Sequence, residues 1–347
     1  MQLRKRKFEE RPLLSKYISA ICKKRRVEKE FFHPSYDLGS SQSINDQFTQ
    51  LVLKWMKKAN KGYAERGKNE GIYFQEDYVR EHSDDVFAGF DLSIFGIDIS
   101  DDSFWHTSDR EDQALILNRR LKKGKNRAFS ALFQGPTIAD CGAVLQMCIL
   151  RALEEFLGTE GFDKYLDDGR ELILSGTPLS YDDNPINELL KPEYCKNVCA
   201  GSILWIEGVD TYRKKHLYGT ATGWYLVCVG QNDQNEELFL GFDPDNFSEP
   251  LTLEQITEKL IYFYNKDQSD LTKSLMDDDS ISLQDIKDAL KFKDHKATNG
   301  TIGGIQHDIR RFDEEKLKEL FIKYSAAVST CLTGTRVTCN HPMVPRK

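Results

Sequence analysis

The residues best equipped for chemistry lie at 133–158, FQGPTIADCGAVLQMCILRALEEFLG. Cys141 sits between Asp140 and Gly142, where a loop of Gly135, Pro136 and Thr137 gives way to a long apolar helical pattern. The start of a helix offers unpaired N–H groups and the positive end of the dipole, and both favour a thiolate. The same N–H groups suit the oxyanion formed when a thiolate adds to an amide carbonyl. Gly142 leaves room for a substrate to approach the backbone. Cys141 is therefore expected to be a nucleophile, supported by Asp140 and by Gln134 as an oxyanion donor. The competing reading is inert packing, the expectation for Cys148 further along the same helix.

A thiol nucleophile needs a base, and the chain has seven histidines. His216, in KKHLYGTATGWYLVCVG, lies in a glycine-containing loop among Lys214 and Lys215 that feeds a strongly apolar strand, from which an imidazole would reach Cys141. Asp243, at the end of EELFLGFDPD, is placed to orient that imidazole. His307, in GGIQHDIRR, is the alternative base.

The elements that must position these groups follow from periodicity. Residues 44–62 place Phe48, Leu51, Val52, Trp55 and Met56 at three- and four-residue steps, capped by Ser43 or Asn45 and stopped at Gly62. A short helix is expected from Asp109 to Leu121. Residues 141–156 are apolar around so much of their circumference that this helix should be central, ending at Gly158. Strands are expected at 201–208, 223–231 and 236–243, the last two joined by the turn QNDQN. LTLEQITEKLIYFYNK reads as a helix opened by Thr252 with Glu254 or Gln255. Residues 266–300 are polar and acidic and read as an insertion or linker. TIGGIQHDIRRF reads as a strand and DEEKLKELFIKYSAAV as a helix.

With 347 residues, 39% hydrophobic and 11% aromatic, the chain has the makings of a large core. Its net charge of -7 argues against a general nucleic-acid binder. No run of eighteen apolar residues marks a membrane span. The charged N-terminus lacks the apolar core of a secretory signal, so a reducing compartment is expected for its eight scattered cysteines. Cys195 and Cys199 lack a second matching pair, so no metal is expected, and no nucleotide-binding glycine pattern or HExxH occurs, so no cofactor is expected either. RKRK at 4–7 and KKRR at 23–26 read either as a solvated basic face or as a nuclear import signal.

The order of Cys141 on its helix, GSILWIEG, the His216 loop and GFDPD resembles the papain-like thiol enzymes, which include transglutaminases, protein deamidases and cysteine peptidases. It is similar in particular to the small spore-coat transglutaminases, with GFDKYL at 161–166 after the cysteine helix. Asp140 approximates that family's acidic residue before the cysteine, while its Glu and Gly-His-Gly strand signals have no counterpart in GWYLVCVG or LFLGFDP. The resemblance implies an α+β fold, a papain-like core whose nucleophile-bearing central helix packs on an antiparallel sheet, with a helical N-terminal extension. The expected divisions are a basic arm and extension over 1–125, the core over 126–330 with its acidic insertion, and a tail over 331–347. The basic blocks and isolated thiol-enzyme core also resemble effectors that bacteria inject into host cells.

The expected function is a cysteine-dependent enzyme acting on a protein amide through a thioester, as protease, glutamine deamidase or transglutaminase. The resemblance to effectors implies a host protein as substrate and secretion into a host cell without a signal peptide; otherwise a cytoplasmic location with no membrane partner is expected, and a nuclear one if the basic blocks are an import signal. The alternative is a non-catalytic protein-binding module on the same fold.

Overall fold

The computed structural model describes residues 43–65, 71–74, 97–99, 105–107, 115–117, 125–167, 172–175, 185–193, 198–217, 219, 221–242, 249–276, 281–305 and 309–325. In chain order these begin with α1 (Ile44–Ala64), β1 (Ile72–Tyr73), β2 (Ile97–Ile99), β3 (Trp105–Thr107), β4 (Leu115–Leu117), α2 (Lys125–Gln134), β5 (Thr137–Ala139), α3 (Cys141–Leu157), α4 (Thr159–Asp167) and β6 (Ile173–Leu174). A 3-10 turn at Pro185–Leu189 leads to β7 (Leu190–Pro192), β8 (Ser202–Val209), α5 (Tyr212–Lys215), β9 (Gly223–Gln231), β10 (Glu237–Gly241) and β11 (Leu251–Thr252). The remainder is α6 (Leu253–Asn265), α7 (Asp270–Met276), α8 (Leu283–Phe292), β12 (Ile302–Ile305), β13 (Arg310–Phe312) and α9 (Glu314–Tyr324).

The protein is an α+β structure built on a seven-stranded sheet of order β11-β10-β9-β8-β13-β7, with β12 also on β8. Every described pairing in this sheet is antiparallel. Two three-stranded sheets, β1-β5-β2 and β3-β4-β6, flank the cysteine helix in sequence. Its β5 strand pairs with β1 in parallel and with β2 antiparallel, so β5 is held on both sides immediately before Cys141.

Helix α3 is central because almost every residue on it is apolar and buried. Asp140 caps it by accepting from the Ala143 N–H, and Gly158 ends it with φ of 74°, a left-handed conformation that favours glycine. Helix α1 packs along it: the Phe48 ring meets Phe156 at 5.5 Å and Phe312 of β13 at 4.9 Å, both edge-on. Lys54 and Trp55 of α1 both donate to the Glu155 carboxylate of α3. One continuous apolar cluster thus joins α1, α3 and the sheet.

Several expectations hold closely. Ser43 caps α1 through the Asp46 N–H, Thr252 and Gln255 form a reciprocal capping box on α6, and Asn232 holds the β9–β10 turn by accepting from Gln234 and Glu236. Gly62 does not stop α1, since the helix runs on to Ala64. The buried Tyr63 packs edge-on to Phe74 and Phe242, and that burial outweighs the ~1 kcal/mol helix cost of a glycine. Where a helix was expected over 109–121, Leu115–Leu117 is a strand paired with both β3 and β6, so tertiary pairing overrides local pattern. Residues 266–300 carry α7 and α8 instead of a bare linker, and the single expected strand over 301–312 is two, β12 and β13.

Phe48→Ala removes a fully buried ring at the junction of α1, α3 and β13 and should cost about 3–5 kcal/mol. A denaturant midpoint lowered at unchanged slope is the expected result of equilibrium unfolding.

Candidate active site at Cys141

Cys141 is the first residue of α3 and is buried. Its Sγ donates to the Gly223 carbonyl at 4.0 Å. The backbone N–H groups of Tyr225, Gly142 and Cys141 itself face the sulfur. The sheet explains why a thiol fits there. The Gly208 N–H donates to the Thr222 carbonyl at 2.8 Å, and pairs two residues further on, such as Ile206↔Trp224, repeat that pattern. The N–H and C=O groups of Gly223 and Tyr225 must then point away from β8. On that side β10 pairs only as far as Gly241↔Leu226. Gly223 and Tyr225 lie past that described pairing, where the Cys141 thiol donates a hydrogen bond to the Gly223 carbonyl and faces the Tyr225 N–H.

Gly223 is required at this spot. A Cβ on it would collide with the Trp205 indole and the Ile206 carbonyl. Trp205 and Tyr225 are cross-strand partners with tilted rings 4.8 Å apart, and Glu207 lies directly opposite Gly223. Alternation along β8 and β9 puts Trp205, Glu207, Gly223 and Tyr225 on one face, with Ile206, Trp224 and Leu226 on the other. Trp224 meets Phe263 of α6 there, so α6 covers the second face.

The electrostatics differ from the sequence expectation. Burial pushes the Cys141 thiol up to about 12, and the neighbouring Asp140 charge adds to the rise, outweighing the backbone N–H groups that favour the thiolate. The resting thiol is therefore protonated. Burial also raises the Asp140 carboxyl to about 6, against the opposing pull of the Ala143 and Gly142 N–H groups and the Arg213 guanidinium. Asp140 thus titrates beside the thiol in the physiological range.

The described contacts of His216 are with Tyr264 and Tyr212. It is buried at the end of α5, where its Nε2–H donates to the Tyr264 carbonyl at 3.0 Å and its ring stacks on Tyr212 at 4.8 Å. Burial lowers its pKa, with Lys215, Lys266 and Lys296 acting in the same direction and the bond to the Tyr264 carbonyl opposing them. Of its two lysine neighbours, Lys214 is exposed and Lys215 fully buried. Gln134 is exposed at the far end of β5 from Cys141, and its backbone carbonyl accepts from Gly71. Asp243 and His307 lie outside the described residues. Gly142 and Asp140 are where the sequence puts them, flanking Cys141.

Two contributors went unread in the sequence, Arg213 and the Tyr225 amide. Arg213 was signalled by the YRKKH cluster, and the Tyr225 amide by nothing local, because it depends on where β10 ends. Cys148, also raised by burial, is fully buried packing, and Cys199 lies beside Glu193 and Ser202. Among the described residues no group of three or more potential metal ligands occurs, and no helix is long and apolar enough to cross a membrane.

No protein-family model matches the chain, and no curated protein does. Among solved structures, the chain is similar to the transglutaminase from Geobacillus stearothermophilus without its C-terminal extension. That likeness has a TM-score of 0.42 and 10% identity, and covers 80% of this chain and 98% of that one. A TM-score below 0.5 leaves the functional argument to the geometry around Cys141.

The raised Asp140 carboxyl generates a stability prediction. The folded state holds this proton more tightly than the unfolded chain, so the contribution is greatest near pH 4 and is lost as pH rises towards 6. Against Asp140→Asn, which keeps a capping side chain, the wild type should gain stability between pH 6 and pH 4, by at most about 3 kcal/mol, and hold a constant difference above that window. Denaturant unfolding of both proteins across that range checks the sign.

Proposed function

We propose that the protein is a cysteine-dependent acyl-transfer enzyme that attacks an amide carbonyl of a protein substrate with Cys141 and passes through a thioester. The observation that carries this reading is the pairing of a thiol at the start of the central helix with a carboxyl that titrates near 6 beside it. In the resting state the thiol keeps its proton and donates it in a hydrogen bond to the Gly223 carbonyl. A bound substrate carbonyl brings the electrophile to Sγ, and Asp140 takes the proton as the S–C bond forms. The N–H groups of Gly142 and Tyr225 steady the developing charge. The C–N bond then breaks and the leaving amine departs with the proton from Asp140. Water or a second amine attacks the thioester, the C–S bond breaks, and the thiol regains a proton. Hydrolysis at a backbone amide is protease chemistry, hydrolysis at a glutamine side chain is deamidation, and attack by an amine is transglutamination. A host protein is the substrate that the resemblance to injected effectors implies; the basic blocks at 4–7 and 23–26 lie outside the described residues.

The second reading, a binding module with no chemistry, is favoured by the raised thiol and by an imidazole committed to Tyr264. The two readings predict different pH profiles for acylation of Cys141 by p-nitrophenyl acetate, followed by p-nitrophenolate release and by mass on the intact protein. The enzyme reading expects a rate that rises with a midpoint near 6, levels off above it, falls by about 10- to 100-fold in Asp140→Asn, and vanishes from Cys141 in Cys141→Ser. A rate that climbs steadily past pH 9 and ignores Asp140→Asn would establish the binding module instead.

A further inference from the structure

We infer that residues 264–276 and 281–297 form a clasp that positions Arg213 against Asp140, with Gln268 as its central residue. This deepens the proposed reading of the Cys141 site but rests on separate geometry. Arg213 lies on α5, a helix of four residues, too short to hold its own shape in water. Its orientation depends on what α5 packs against, and four described side-chain hydrogen bonds tie the residues of this turn and its flanks to one stretch of chain.

Thr211, ahead of α5, shares a hydrogen bond with the Tyr264 hydroxyl at 2.9 Å, and that hydroxyl also bonds His295 Nδ1 at 2.8 Å. Lys215 is fully buried, and its Nζ donates to the His295 carbonyl at 3.0 Å. His216 donates to the Tyr264 carbonyl. Gln268 is buried and spends both N–H bonds of its amide at once, one on the Lys215 carbonyl at 2.8 Å and one on the Ala289 carbonyl of α8 at 2.9 Å. It therefore ties the end of α5 to α8. Leu217, Leu275 and Ala289 close an apolar cluster over the same joint.

With Tyr212, Lys215 and His216 buried, only Arg213 and Lys214 of this turn face outward. Arg213 is the one whose charge acts on Asp140. The groups packed about the clasp are Lys266, Asp267, Asp294 and Lys296, which act on Lys215 and His216. Asp140 is faced by Arg213 and by the Cys141 thiol.

A polar, acidic stretch that reads as an insertion thus has a task in the site. Burying Lys215 is costly, and both described partners of its ammonium, the His295 carbonyl and the Tyr264 ring 5.0 Å away, belong to the clasp.

The test is the carboxyl titration of Asp140, followed by 13C NMR of aspartate-labelled protein and assigned by the resonance missing in Asp140→Asn. It does not depend on Cys141 being a nucleophile, so it separates failure of the clasp from failure of the acyl-transfer reading. Arg213→Gln should move the midpoint upward by about one unit or less, because Arg213 is partly in solvent. Gln268→Leu, which keeps the bulk and removes both donors, should move it upward by at least half as much, and adding it to Arg213→Gln should add nothing. Lys215→Met should act likewise and serves if Gln268→Leu does not fold. A folded clasp variant with lowered thermal stability and an unmoved midpoint would show Gln268 to be merely structural and overturn the inference, as would an unmoved midpoint in Arg213→Gln.

Discussion

The candidate site depends on one contact between the central helix and the sheet, the hydrogen bond from the Cys141 thiol to the Gly223 carbonyl. The described β9–β10 pairing runs to Gly241↔Leu226, and the groups of Gly223 and Tyr225 that point away from β8 lie beyond it. Leaving such groups buried without partners costs about 1–3 kcal/mol each. The Cys141 thiol meets the acceptor and faces the donor. The arrangement ties the first residue of the central helix to the sheet and sets the thiol among three N–H groups. The same burial that makes the contact stabilising also keeps the proton on sulfur. Chemistry at Cys141 therefore needs a partner able to take that proton when a substrate arrives, and Asp140 is the titrating group at hand.

Asp140 joins structure and chemistry in one side chain. As the cap of α3 it satisfies an N–H that would otherwise be orphaned, and that bond favours its ionised form, while burial favours the protonated form. The balance falls near neutral pH. Arg213 weighs on one side of that balance, and α5 with its clasp sets where Arg213 stands. The start of α3 and the strand β9 thus meet at the sulfur, while α5 and the helices that hold it bear on Asp140 through Arg213.

Much of this was legible in the sequence where local rules decide. The apolar wrap of 141–157, the Asp140–Cys141–Gly142 context, the Ser43 and Thr252 caps and the Asn232 turn are all signals carried within a few residues. The rest is set by pairing between distant segments. Leu115–Leu117 looks helical until two neighbouring strands claim it, and residues 266–300 look like a linker until Gln268 is seen holding two carbonyls. His216 shows the limit most clearly. Its loop position made it the natural base, but nothing local shows that its ring turns to the Tyr264 carbonyl.

The most direct test of the central claim is the S–H stretching band in the Raman difference spectrum of wild type minus Cys141→Ser as pH is raised. A hydrogen-bonded S–H band that persists beyond about pH 9 is expected for a buried thiol donating to the Gly223 carbonyl. Absence of that band at pH 7, with the sulfur already a thiolate, would contradict the account and return the site to a preformed ion pair.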